Sequence, residues 1–178
     1  MQTRVEIADF ENWGAAAGEA ARVLAAGEVV AVPTETVYGL AAVAFNPEAV
    51  ARVFEAKERP SFDPLIVHLA GLRDLRRVAV VPEGIEGVVR QLAEAFWPGP
   101  LTLVLPKHED VPDLVTSGLP TVAVRVSKHE VMRHLAKELG PIAAPSANRF
   151  GRISPTSASA VMSELEGRIP LIIDGGAC

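Results

Sequence analysis

The stretch Pro145-Ser-Ala-Asn-Arg-Phe-Gly-Arg-Ile-Ser-Pro-Thr156 lies between an apolar strand candidate and an amphipathic helix. A polar turn at a helix entrance gathers backbone N–H groups and hydroxyls where the helix dipole favours negative charge, so it suits an anion, above all a phosphate. Ser146 and Asn148 follow the strand that includes Ile142, and Ser154 and Thr156 open the next helix. Capping alone accounts for Ser154, and turn formation accounts for Asn148 and Gly151, but capping does not require all of these residues together.

Four other islands carry polar chemistry. Pro33-Thr-Glu-Thr-Val-Tyr-Gly-Leu40 directly follows a strand candidate, and hydroxyls at the carboxyl end of a buried strand are well placed for a ligand. The plainer reading is a turn in which Thr34 and Thr36 satisfy loop backbone. Lys57 and Arg59 sit at a helix C-terminus before Pro60, where the dipole stabilises cations, or where the pair clamps a polyphosphate. His68 lies in the apolar run Leu65–Leu69 and reads as a hydrogen-bonded core residue or a site residue. In Thr121-Val-Ala-Val-Arg125, alternation puts Thr121, Ala123 and Arg125 on one strand face. An arginine in so apolar a strand needs an acid, because an unpaired buried charge is costly. The acid is a protein carboxylate or a ligand carboxylate held bidentately.

Other chemistries lack their signatures. There is no Gly-x-Ser-x-Gly, no GxxxxGK[ST] and no GxGxxG. His129 and His134 have no HExxH or carboxylate pattern beside them, and the single cysteine, Cys178, excludes a Cys-based zinc site. No metal site is expected.

These islands must be held by a scaffold, and the apolar pattern supplies one. Short β-branched runs at Val29–Val32, Leu65–Leu69, Leu101–Leu105, Thr121–Val126, Ile142–Ala144 and Leu171–Ile173 lack alternation, as in strands covered on both faces. Between them lie helices. Ala15–Ala26 ends at Gly27, a C-terminal glycine; Asn46-Pro47 caps a helix running to about Ala56. A third contains Val88, Val89, Leu92, Ala93 and Phe96 and stops at Pro98-Gly99-Pro100. Ser127 and Glu130 have capping-box spacing ahead of Val131, Met132, Leu135, Ala136 and Leu139. Ser154-Pro155 repeats the cap-plus-proline signal before a helix with Ala158, Val161, Met162 and Leu165 on its buried stripe. Interleaved strands and helices predict an α/β domain with a mixed or parallel sheet flanked by helices.

The 178 residues are 49% apolar, enough for one core, and predict a single domain over 1–178. No apolar run is long enough to span a membrane, no signal-peptide core opens the chain, and one cysteine fits a reducing cytoplasm. A net charge of −5 and 5% aromatic residues argue against nucleic-acid binding as the main activity. The chain stops just after the turn signal Asp174-Gly-Gly, which predicts a truncated C-terminal side.

In order, the segments PTETVYGLA, Lys-x-Arg-Pro with DPLIVH, WPGPLTLVL, TVAVRV and APSANRFGRISPT, followed by IIDGG, resemble the YrdC/Sua5 family. The resemblance implies a twisted α/β sheet walling a deep, positively lined cavity. It implies L-threonylcarbamoyladenylate synthase activity: L-threonine, bicarbonate and ATP give threonylcarbamoyl-AMP and pyrophosphate. The product feeds N6-threonylcarbamoyladenosine formation in tRNA, completed by other proteins. Mg2+ would accompany ATP, with no tightly bound cofactor. By resemblance, Lys57 and Arg59 face the phosphates as the catalytic cations. Ser61, Thr121, Ser146, Asn148, Ser154 and Thr156 join them at the nucleotide. Thr34 or Thr36, His68, Arg125 and Ser146 form the threonine pocket, with Arg125 on the substrate carboxylate. Longer members continue beyond the Asp-Gly-Gly turn. Two other readings stand beside this one: an RNA-binding module, and a carbamoyl-adenylating domain of the hydrogenase-maturation type.

Overall fold

The computed structural model describes residues 2–9, 11–60 and 63–178. Among them, eight strands and six α-helices alternate: β1 (Arg4–Ile7), α1 (Trp13–Ala25), β2 (Val30–Val32), β3 (Gly39–Val43), α2 (Pro47–Lys57), β4 (Ile66–His68), α3 (Glu86–Phe96), β5 (Leu103–Pro106), α4 (Asp113–Thr116), β6 (Thr121–Arg125), α5 (Glu130–Leu139), β7 (Ile142–Ala143), α6 (Ala158–Leu165) and β8 (Leu171–Asp174). They build one sheet in the order β1-β8-β2-β3-β7-β4-β6-β5. The sheet is mixed. β8 runs parallel to β1 and β2, and β4 parallel to β6. β3, β7 and β5 pair antiparallel with their neighbours.

The central strands are buried on both faces, and this explains their unbroken apolar runs. Val30, Val32, Leu171 and Ile173 pack with Ala17, Leu24, Met132 and Leu135 of α1 and α5. Ala31 and Ile172 point the other way, into a second core layer with Val50 and Val53 of α2 and Val161 and Leu165 of α6. β5 departs from the expected double coverage. It is an edge strand whose Val104 is 64% exposed.

Two strands escape the sequence pattern. β1 alternates polar and apolar residues on an edge, and its parallel partner β8 lies at the other end of the chain. β3 is Gly-Leu-Ala-Ala-Val, a composition poor in β-branched residues. It folds back on β2 with Val32 opposite Gly39, so the Pro33–Tyr38 island is the loop of a hairpin. Gly39 is needed there for close approach: a Cβ would stand 3.3 Å from the Ala144 Cβ and 3.6 Å from the Pro145 carbonyl oxygen.

Two helix starts also differ from expectation. Asn46 does cap α2, accepting from the Ala49 N–H at 3.0 Å ahead of Pro47. The Ser127–Glu130 box does not form, because Ser127 donates its hydroxyl to Glu35 and the imidazole of His129 caps α5 through the Val131 N–H. Ser154 is not the cap of α6. Ser157 is, accepting from the Ala160 N–H at 3.3 Å, and residues 154–156 stay in the loop.

Candidate active site

The hairpin loop after β2, the register of β4 against β6, and the turn after β7 converge on one cavity of about 250 Å³. His68 stands opposite Arg125 at the carboxyl ends of the parallel pair β4 and β6. Ser146 bridges Gly39 across the turn. The cavity is lined by Thr34, Thr36, Arg59, His68, Arg125 and Ser146, with Val37, Pro64, Ile66 and Ala144 as its apolar wall. Six of the twelve expected residues therefore meet in one place.

Arg125 is mostly buried and fully engaged on one side. Its Nε donates to Thr102 at 2.9 Å, and its Nη1 donates to Thr36 at 3.1 Å and to Glu35 at 3.3 Å. Its Nη2 has no partner among the described residues. The acid that the apolar strand demanded is thus Glu35. Burial pushes this carboxyl up, but the Ser127 hydroxyl, backbone N–H groups including that of Lys128 at 3.0 Å, and Arg125 outweigh it and hold Glu35 below the usual carboxylate range. Thr34 is committed to the turn itself. Its hydroxyl donates to the Val37 carbonyl at 2.6 Å and accepts from the Thr36 and Val37 N–H groups. Thr36 is exposed and presents its hydroxyl beside Arg125.

His68 is 3% exposed, and its Nδ1 has no hydrogen-bond partner among the described residues. Burial, reinforced by the Arg125 charge, lowers its pKa to about 4, so the ring is neutral near pH 7. His68 lines the cavity, and a neutral imidazole can accept a hydrogen bond from an ammonium or hydroxyl at its unprotonated ring nitrogen. Arg59 is fixed by its own loop, donating to the Asp63 and Pro64 carbonyls at 3.1 and 3.0 Å and pairing with the Asp63 carboxylate at 2.9 Å.

The remaining expected residues stand elsewhere. Lys57 is buried beneath the loop, and its ammonium donates to the Ser146 and Asn148 carbonyls, bolting the turn after β7 to the end of α2. Burial and the nearby Arg59 lower its pKa to about 8. Asn148 is also buried. Its amide donates to the Arg149 and Arg152 carbonyls, which builds the turn, while its Oδ1 has no partner among the described residues. Ser154 and Thr156 line a separate cavity of about 420 Å³ with Arg152, Ser163 and Glu164. Thr121 is at the opposite end of β6 from Arg125, about 13 Å along the strand. Ser61 lies outside the described residues. The sequence pattern gave no site role to Glu35 or Thr102 and marked Ser127 only as a helix cap; the buried arginine was the one signal for an acid.

A family model covering Sua5, YciO and YrdC, described as "Telomere recombination", matches residues 22–178. Threonylcarbamoyl-AMP synthase of Pyrococcus abyssi is 54% identical over 160 residues, covering 88% of this chain and 46% of the relative. That of Bacillus subtilis is 50% identical over 161 residues, covering 89% and 45%. The crystal structure of P. abyssi Sua5 complexed with L-threonine superposes with a TM-score of 0.90 at 49% identity, covering 98% of this chain and 51% of that one. The chain thus spans about half the length of these relatives. The mixed sheet, the hairpin loop and the match across residues 22–178 agree: this chain belongs to the Sua5/YciO/YrdC family.

Proposed function

We propose that this chain carries the adenylating site of a threonylcarbamoyl-AMP synthase, combining L-threonine, bicarbonate and ATP. The observation that carries the reading is the cavity lined by Arg125, Thr36 and the buried, neutral His68, in a chain 49% identical to a protein solved with L-threonine. The free Nη2 edge of Arg125 binds the substrate carboxylate, a charge-assisted contact. Neutral His68 accepts from the amino acid, and Val37, Ile66 and Ala144 hold its methyl group. A volume of about 250 Å³ is below the roughly 300–1,000 Å³ of drug-sized sites, so the nucleotide extends outward past Ser146 and Arg59 toward Ser154 and Thr156.

The chemistry needs position and charge rather than a covalent intermediate. The threonine nitrogen bonds the bicarbonate carbon with loss of water, giving a carbamate. A carbamate oxygen then bonds the α-phosphorus as the bond to the β-phosphate oxygen breaks, and pyrophosphate leaves. Arg59 offsets charge on the leaving phosphates, and Lys57 acts by fixing the Ser146–Asn148 turn as well as by its charge. Among the described residues no three His, Cys, Asp or Glu side chains converge on a point. Mg2+ in this reading would ride on the phosphates of ATP, and no step is derived through it. The relatives' names favour this reading over an RNA-binding module or a carbamoyl-adenylating domain. Proteins that pass the product to tRNA would be functional partners.

Calorimetric titration tests the pocket. L-threonine binds the wild type, and Arg125→Ala weakens it at least about tenfold, the worth of one charge-assisted contact, while ATP affinity stays within about threefold. Equal loss of both ligands contradicts the role given to Arg125.

A further inference from the structure

Tyr38 lies where three segments framing the site cross. It is fully buried, and each of its polar groups is used. Its backbone N–H donates to the Pro155 carbonyl, and its carbonyl accepts from the Ala147 N–H, both at 2.8 Å. Its phenol donates to the Gly176 carbonyl at 2.7 Å and accepts from the Gly175 N–H at 3.2 Å. The turn it holds is tightly seated. A Cβ on Gly175 would lie 2.8 Å from Pro33, and Gly176 has φ +84°. Past the turn, the Cys178 N–H donates to the Thr156 carbonyl at 3.0 Å. Two sets of hydrogen bonds, joined by the short backbone from Gly176 to Cys178, therefore link the phenol to Thr156.

We infer that Tyr38 is a positioning residue for the nucleotide side of the site. The backbone of Tyr38 fixes Pro155 directly, and its hydroxyl fixes Thr156 through the turn after β8. The turn also seats against Pro33, but the threonine side has supports of its own in Glu35, Thr102 and the β4–β6 register. Loss of the hydroxyl should therefore separate the two ligands. The inference rests on the proposed function only in naming a nucleotide as the ligand of residues 154–156.

Tyr38→Phe removes the hydroxyl and keeps the ring. ATP and L-threonine are titrated separately, and backbone deuterium uptake is followed over 174–178. ATP affinity should fall about five- to tenfold, the loss expected for one hydrogen bond. L-threonine affinity should change less than about twofold, and uptake at Cys178 should rise. Equal weakening of both ligands, or unchanged uptake at Cys178, overturns the inference. If the wild type binds neither ligand, the functional reading fails, while the uptake still decides whether the phenol holds the turn. Should Tyr38→Phe not fold, Gly176→Ala strains the same turn at its positive φ without opening the core, and the same outcomes apply.

Discussion

His68 shows how one side chain is tuned by its surroundings. The backbone puts it on a fully covered strand, and burial beside the Arg125 guanidinium lowers its pKa from 6.5 to about 4. Between those values the unfolded chain binds more protons than the folded one, so stability rises with pH across this window and is lost as pH falls through it. The contribution of the group reaches about 3 kcal/mol at full extent. Denaturant unfolding of the wild type and His68→Gln from pH 7 to pH 4 should therefore show the wild type losing more stability, with the two curves converging in acid. Parallel curves would mean that the imidazole is not held neutral by the fold. Arg125 illustrates what was legible at this scale. Its apolar strand demanded an acid, but Glu35 lies 90 positions away and reaches it through a hairpin that the sequence pattern hides.

Secondary-structure elements were legible where packing and propensity agree. The β-branched runs of β2, β4, β6 and β8 and the Asn46-Pro47 start of α2 follow directly from residue type. β3 was obscured because alanine and glycine serve tight packing there: Ala41 and Ala42 are fully buried between the two helical layers. The cap of α5 differs because Ser127 is drawn to Glu35, and the start of α6 lies three residues later than the Ser154-Pro155 signal, at Ser157, whose hydroxyl reaches the Ala160 N–H. This gives a direct comparison at α6. Ser157→Ala should cost about 1 kcal/mol of stability, the usual value of an N-cap, while Ser154→Ala should change it by less than about 0.5 kcal/mol. Urea unfolding of the two variants measures this, and a larger loss at Ser154 would return the helix start to Ser154-Pro155.

At the scale of the molecule, the sheet gathers residues from four separate segments around one small cavity, in a chain whose net charge is −5. The cations are therefore local: Arg59 and Arg125 face the cavity, and Lys57 lies beneath its floor. Such an arrangement concentrates positive charge where a carboxylate and phosphates would meet. Among the described residues, no helix is long and apolar enough to cross a membrane. The fold class and the cavity-facing half of the site were readable because they rest on local runs and motif order. The split between the two cavities was not, because it depends on how the 145–156 loop is tied down by Lys57 and Tyr38. The most direct test of the account is pyrophosphate release from ATP in the presence of bicarbonate, with and without L-threonine. Release that depends on L-threonine is the predicted result; release at the same rate without L-threonine, or only with carbamoyl phosphate in its place, would contradict it.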